Sequence, residues 1–226
     1  YEHELGKTYL STFRDTISLF IDKGESASSK TKPNNAPTEN STKQTIISET
    51  LYFHRAMQAF WLGHTERCQH FVGKVLQLSY VESLSRMIST FIHGLNSCQM
   101  PKIQNTTKLR TVLDNAITSL KIAALHSPWN FQNKVYLLEA EKFSFDGNLE
   151  EANASYVAAI ASARSSKFVH EQGLACECAG FHYKKIGDRG SARHFFNQAK
   201  QCYVEWGSQT KVGIIDRQLE ICQIVR

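Results

Sequence analysis

The sequence predicts an all-α protein, an array of antiparallel helical hairpins that forms an α-solenoid of about four hairpins with flanking helices. Three observations predict this fold class. Apolar residues recur every three or four positions along most of the chain, and no stretch shows a sustained period of two between turn residues. Proline, which interrupts helices, occurs only 4 times in 226 residues. A pattern of glycine, alanine and aromatic residues also returns after forty positions, as expected for stacked hairpins.

The chain opens with a predicted leading helix, assigned to residues 1–23. Its apolar residues follow one another at spacings of four and three, which places them on one helix face. They are Leu5, Tyr9, Phe13, Ile17 and Phe20. Because the first residue is Tyr1 and not Met, we expect the sequence to be a piece of a longer protein.

Composition changes sharply at residues 24–44, which we predict to be a flexible polar insertion. The stretch is rich in Ser, Thr, Lys and Asn and has no large apolar side chain. It therefore has little apolar surface whose burial could offset the conformational entropy that is lost when a segment becomes ordered. A tolerated loop is the favoured interpretation, and a linker that is phosphorylated on Ser or Thr is the alternative.

Helical periodicity resumes after the insertion and hardly stops. We predict helices at 45–62, 65–79, 81–98, 106–126, 131–145, 149–165, 170–186, 190–206 and 209–225. Pro101 and Pro128 lie in breaks between these helices, where a helix is expected to end. Residues 45–207 are assigned to the hairpin array, and residues 208–226 to a C-terminal helix that caps it.

The repeat is strongest in the last two hairpins. Its corresponding residues are Gly147 and Gly187, Ala152 and Ala192, Tyr156 and Phe196, and Ala159 and Ala199. The glycines are expected to end a helix in the left-handed conformation. The first alanines are expected where the two helices of a pair come closest, with the aromatic rings in the groove one turn further on. A looser copy begins at Gly63, with Cys68 in the small position.

Charge and hydropathy argue against two classes of partner. The chain has 26 Lys and Arg against 21 Asp and Glu, and the net charge of +5 is spread along the sequence. No nucleic-acid partner is predicted, because such binding relies on a basic stripe or face. No membrane span is predicted, because no apolar run approaches roughly 18 residues.

The six cysteines, at positions 68, 98, 176, 178, 202 and 222, are interpreted as reduced thiols of a cytoplasmic protein. Four of them fall within helical apolar patterns, where a free Cys acts as a small hydrophobic residue. Disulfide pairing in a secreted protein is the alternative. The Asn-x-Ser/Thr triplets at Asn40, Asn105 and Asn153 give it only weak support.

No motif for catalysis or for a cofactor is found, so the chain is predicted to be no enzyme and to hold no metal or cofactor. The sequence has no phosphate-binding loop, kinase signature or nucleophile elbow. Cys178 and His182 lie one helical turn apart, and His64 lies near Cys68 and His70, but a structural zinc site needs four converging ligands. We interpret Cys178 as a packing residue and expect His64 and His182 at hairpin edges.

Two tryptophans flank the hairpins of the C-terminal half. Trp206 comes directly before Gly207 and is expected to be packed. Trp129 lies between two hairpins. Burial in the core is the favoured interpretation for Trp129, and a place on a binding surface is the alternative.

From about residue 120 onward the chain resembles a known family. The residues that carry the resemblance are Ser127-Pro-Trp-Asn-Phe131, Tyr136-Leu-Leu-Glu-Ala-Glu141, Phe168-Val-His-Glu-Gln-Gly-Leu-Ala175 and Lys211-Val212, with the motif residues Gly147, Ala152, Tyr156, Gly187, Ala192, Phe196, Tyr203, Trp206 and Gly207. The region is similar to the tetratricopeptide-like (TPR-like) helical repeats of large multidomain signalling proteins. Those proteins join a kinase-like domain, an AAA or STAND-type ATPase, this helical region, a GAF domain and often a sensor histidine kinase. The similarity is close over 120–212 and loose over 45–100, and it does not extend to 1–44.

The resemblance implies a non-catalytic regulatory array whose partners are neighbouring domains of the same chain or a signalling protein. Stacked hairpins offer an extended concave side for such binding. The exposed residues expected to form this surface lie on the first helix of each hairpin: Asn133, Lys134, Glu141, Lys142, His182 and Lys185. One alternative is a peptide clamp, with Asn133 and Lys134 holding the carboxylate of a chaperone tail. Another is an all-helical enzyme, which requires a pocket holding a metal or a perturbed acid.

Overall fold

The structure, a computed structural model, describes residues 39–78, 83–98 and 106–224. Within these ranges the chain forms nine helices and no strand. They are α1 (Glu39–Trp61), α2 (Thr65–Leu78), α3 (Leu84–Cys98), α4 (Thr106–His126), α5 (Pro128–Asp146), α6 (Leu149–Ser165), α7 (Val169–Lys185), α8 (Arg189–Trp206) and α9 (Gln209–Ile224). The predicted leading helix and residues 24–38 of the predicted insertion lie outside the described residues.

The predicted helices in these ranges are confirmed, and two helix starts differ in an informative way. Helix α1 begins at Glu39, inside the stretch predicted to be an insertion, because the last helix-breaking residue before it is Pro37. Helix α5 begins at Pro128 and not at residue 131. Proline is accommodated at the first helical position, where its missing N–H costs no hydrogen bond. Pro128 therefore opens a helix instead of standing in a gap.

Each helix folds back along the one before it. Where the connection is described, at most three residues join one helix to the next, and consecutive helices pack against each other. This gives four helix pairs, α1–α2, α3–α4, α5–α6 and α7–α8, followed by α9. The first helices of neighbouring pairs also touch, α1 with α3, α3 with α5 and α5 with α7. We call the side that these helices share with α9 the inner face.

The glycines predicted to end helices adopt the predicted conformation. The backbone φ angle is +82° at Gly147 and +87° at Gly187, and it is +73° at Gly63 and +81° at Gly207. Glycine has no Cβ and adopts this left-handed conformation without steric strain. A left-handed glycine therefore comes directly after α5 and α8, and one residue further on after α1 and α7.

The repeated small and aromatic residues form the seam between the paired helices. All of them are at most 1% exposed: Ala152, Ala192, Tyr156, Phe196, Ala159 and Ala199. Upstream, Ala140 is fully buried, and Gly180 takes the matching place forty residues later. A Cβ on Gly180 would lie 2.6 Å from the ring of Phe196, so this glycine is required by the close approach of α7 and α8.

The turn between α6 and α7 departs from the glycine pattern. Lys167 has a φ angle of +59° and is the one residue other than glycine with positive φ in the described part of the chain. A left-handed conformation costs an L-residue about 1–2 kcal/mol in steric strain. Glycine avoids this strain, but it loses more backbone entropy on folding, which costs about 0.5–1 kcal/mol. We therefore expect Lys167→Gly to raise the free energy of unfolding by about 0.5–1 kcal/mol.

Urea denaturation of the wild type and of Lys167→Gly tests this expectation. Gly147→Ala provides the matched control, because it puts a side chain on a residue with φ +82°, where nothing lies within 4 Å of the added Cβ. It should lower stability by about 1 kcal/mol through backbone strain alone. Equal midpoints for all three proteins would show that backbone conformation at these turns does not limit stability.

The two ends of the described array meet. The ring of Trp61, at the end of α1, lies 4.8 Å from the ring of Trp206 and 5.8 Å from that of His170. His170 also stacks on Trp206, with ring centroids 5.4 Å apart. Trp206 is packed as predicted, although 39% of it remains exposed. The first helix pair therefore contacts the fourth.

The cysteines contribute to packing. All six are free thiols, and Cys68, Cys176, Cys178 and Cys202 are buried. Burial raises the pKa of Cys68 to about 12, which keeps it protonated. Within the described ranges, no helix has both the length and the apolar character to cross a membrane.

Candidate functional site

The six predicted interaction residues divide into two groups. Asn133, Lys134 and His182 are only 3–4% exposed, so the prediction that they are exposed is wrong. The first helices of neighbouring pairs touch on the inner face, and side chains between them are therefore enclosed. Of the remaining three, Lys185 is exposed, while Glu141 and Lys142 are half-buried. Lys142 pairs with Asp114 of α4. Whether these three contact a partner stays a prediction.

Asn133 and Lys134 do converge on a carboxylate, but that carboxylate belongs to the chain itself. The Lys134 Nζ lies 2.6 Å and 2.7 Å from the two oxygens of Glu171 on α7, and it also donates to the carbonyl of Asn130. The amide of Asn133 donates to Glu171 Oε2. Burial lowers the pKa of Lys134, and the Glu171 carboxylate opposes this shift. The place that a peptide carboxylate would take at Asn133 and Lys134 is therefore already occupied by Glu171.

A second buried ion pair joins α7 to α9. The Lys211 Nζ lies 2.6 Å from Glu177 Oε2, and the Tyr203 hydroxyl donates to the same oxygen. Lys211 is 6% exposed and Glu177 7%. The ammonium also lies 5.1 Å from the Tyr203 ring and 6.0 Å from that of Trp61. Both inner-face ion pairs thus use a glutamate of α7 and connect one helix pair to the next element.

A cleft of about 450 Å³ opens on the inner face beside these ion pairs. It lies between the C-terminal ends of α3, α5 and α7, and Tyr156 of α6 forms part of its wall. Glu177 of the second ion pair lines it too, and the other side chains that give it its chemical character are Glu141, Ser144, Phe145, Phe181, His182 and Lys185. The cleft thus combines aromatic walls with acidic, basic and imidazole groups.

Hydrogen bonds organise the polar wall of the cleft. The Tyr156 hydroxyl donates to Glu141 Oε1 at 2.8 Å, and Ser144 Oγ lies 2.7 Å from His182 Nδ1. Burial raises the pKa of Glu141, against the hydrogen bond from Tyr156. Burial also lowers the pKa of His182, and the charge of Lys185 adds to this shift. His182 Nε2 is buried and has no hydrogen-bond partner among the described residues.

Neither a thiol nucleophile nor a metal centre is formed by these groups. Burial, followed by the negative charges of Glu141 and Glu177, raises the pKa of Cys178 well above its usual value, so it remains a thiol. Its interpretation as a packing residue is confirmed by its 4% exposure. Across the described ranges, no three His, Cys, Asp or Glu side chains gather as metal ligands. His64 is exposed in the turn between α1 and α2, in agreement with the predicted place at a hairpin edge.

Three large apolar side chains are exposed where α4 turns into α5. They are Ile122, Leu125 and Trp129, with exposed fractions of 51%, 82% and 60%, and we call them the apolar corner. The prediction that Trp129 is buried is wrong. It is the second residue of α5, and a single residue, Ser127, connects α4 to α5. The apolar periodicity of α4 gave no sign that Leu125 is exposed, because it follows the last buried apolar residue of this helix.

Similarity to known proteins does not assign a family. Comparison of the chain with models of protein families, with curated proteins and with solved structures finds no match. The likeness to the TPR-like region of signalling proteins therefore stays a prediction from the sequence.

Proposed function

We propose that the chain is a TPR-like α-solenoid that acts as a non-catalytic regulatory module and binds another protein through the apolar corner. The positive-φ glycines, the repeated alanine and aromatic seam and the touching first helices support the solenoid assignment. The exposed apolar corner is the observation that carries the binding assignment. In this proposal the chain is a segment of a multidomain signalling ATPase or kinase, and the partner is a neighbouring domain or a separate signalling protein.

The apolar corner has the character of the centre of a protein interface. Ile122 and Leu125 lie one turn apart on α4, and Trp129 follows after the connection. Burying a large apolar side chain contributes about 1.5–3 kcal/mol, and tryptophan is enriched among residues that dominate binding energy. Beside Ile122, the ion pair between Lys121 and Glu139 supplies a polar rim. A partner that covered this corner would remove a cluster of apolar side chains from water.

Site-specific photo-crosslinking in the source cells tests the proposal. A benzophenone amino acid replaces Trp129 in one protein and Val157 in another. Val157 is 57% exposed on α6 and serves as a matched apolar control. We expect one discrete protein adduct from position 129, none from position 157, and loss of the adduct when Leu125→Glu is added.

Two results would contradict the proposal. One is the absence of any adduct from position 129 in the full-length protein. The other is the same adduct pattern from position 157. An intramolecular cross-link would identify a neighbouring domain as the partner, and an intermolecular one would identify a separate protein.

The cleft makes an enzyme the second candidate function. A half-buried acid with a raised pKa, Glu141, lines it together with the imidazole of His182, and such groups occur at catalytic sites as general acids or bases. A screen of hydrolytic substrates, with Glu141→Gln as the matched inactive variant, tests this candidate. The chaperone-tail clamp receives no comparable support, because Glu171 already fills the Asn133–Lys134 pair.

A further inference from the structure

The charges on the inner face are satisfied by internal partners except in the cleft. Lys134 pairs with Glu171 and Lys211 pairs with Glu177. Glu141 and Lys185 also bear opposite charges and line the same cleft, yet neither forms an ion pair with any other residue of the described ranges. Lys185 lies near enough for its charge to lower the pKa of Glu141 against the effect of burial. Glu177 also lines the cleft but is already paired with Lys211, so the cleft holds two further opposite charges that do not meet.

A ligand with a single charge would satisfy only one of these groups. If the half-buried Glu141 were left over, its carboxylate would stay partly desolvated without an ionic partner, and if the exposed Lys185 were left over, the ligand would forgo an available ion pair. A ligand that carries both an ammonium and a carboxylate satisfies both groups at once. Charge complementarity therefore selects a zwitterion.

We propose that this cleft binds a small zwitterion, an α-amino acid or dipeptide with an apolar side chain. Its ammonium would pair with Glu141 and its carboxylate with Lys185, while Phe145 and Phe181 would contact the side chain. The inference does not depend on protein binding at the apolar corner, which lies on α4 and at the start of α5.

The other properties of the cleft agree with such a ligand. Its volume of about 450 Å³ lies within the range of roughly 300–1,000 Å³ that is usual for small-molecule sites. Phe181 is 39% exposed, so an apolar surface is open to a side chain. Tyr156 holds the Glu141 carboxyl group by its hydrogen bond, which fixes the acid before a ligand arrives.

Calorimetric titration of the 226-residue chain with four probes tests the proposal. Leucine and leucyl-leucine carry both charges, leucinamide lacks the carboxylate, and N-acetyl-leucine lacks the ammonium. We expect saturable binding of leucine, of leucyl-leucine, or of both, and binding at least about tenfold weaker for the two derivatives that lack a charge. The stronger of the first two probes shows whether an amino acid or a dipeptide is the better fit.

Variants locate the binding in the cleft. Lys185→Gln and Glu141→Gln should each weaken binding of the zwitterion by about tenfold or more. Gln at position 141 still accepts the Tyr156 hydrogen bond, and thermal unfolding of both variants checks that the fold is kept. Lys74→Gln on α2, an exposed lysine outside the cleft, should bind like the wild type. No saturable binding of either zwitterion, or equal affinity in Lys185→Gln, would overturn the proposal.

Discussion

Replacing Glu177 by Ala is expected to lower the free energy of unfolding by about 3–5 kcal/mol. The variant leaves the ammonium of Lys211, which is 6% exposed, without its carboxylate partner. It also removes the acceptor of the Tyr203 hydroxyl. Breaking a buried pair costs more than the pair contributes, because an uncompensated charge stays in a poorly solvated place. Urea denaturation followed by circular dichroism measures the loss.

The double variant Glu177→Leu with Lys211→Met separates the charge effect from packing. Removing both charges should recover most of the stability that Glu177→Ala loses, since neither charge then stays buried alone. Lys200→Ala provides the control for a surface pair. Its partner is Asp216, both side chains are about two-fifths exposed, and its loss should be below about 1 kcal/mol. A loss from Glu177→Ala as small as that of the control would contradict a buried ion pair between α7 and α9.

Gly180→Ala is expected to lower the free energy of unfolding by about 1–3 kcal/mol, although alanine is the better helix former. The added Cβ would lie 2.6 Å from ring atoms of Phe196, and the ring has no free space because Phe196 is fully buried. Helices α7 and α8 would have to move apart. Urea denaturation again gives the change in free energy.

Gly73→Ala is the matched control for this substitution. Gly73 lies within α2, and nothing lies within 4 Å of a Cβ added there. Helix propensity alone should then act and raise stability by up to about 1 kcal/mol. If Gly180→Ala raised stability like Gly73→Ala, the close contact of Gly180 with Phe196 would be contradicted.

The helices could be predicted from the sequence because their signals are local. Apolar spacing within one helix and a glycine at its end are set by neighbouring residues, and Gly147 and Gly187 adopt the predicted conformation. The start of α1 at Glu39 was missed because a polar composition does not by itself prevent a helix, and no Gly or Pro interrupts the chain between Pro37 and the end of α1. Local composition therefore did not distinguish a helix from a loop at the start of α1.

The candidate site could be predicted only in part because its groups come from different helix pairs. Of the residues predicted to be exposed, Lys185 is exposed and Glu141 is half-buried, and the structure brings both into one cleft. Asn133 and Lys134 looked exposed because their partner, Glu171, lies 37 positions or more away and no sequence spacing indicates the pairing. Trp129 looked buried because tryptophan usually is, whereas its exposure follows from the short α4–α5 connection.

The contact between the first and fourth helix pairs tests most directly whether the described helices form one curved array. The rings of Trp61 and Trp206 lie 4.8 Å apart at an angle of 57°, close enough for their indole transitions to couple. The circular dichroism spectrum should therefore show an exciton couplet that disappears in Trp61→Phe and in Trp206→Phe. Trp129→Phe changes an exposed tryptophan of the apolar corner and should leave the couplet intact. A spectrum without the couplet, or one in which it survives Trp61→Phe, would contradict an array whose ends meet.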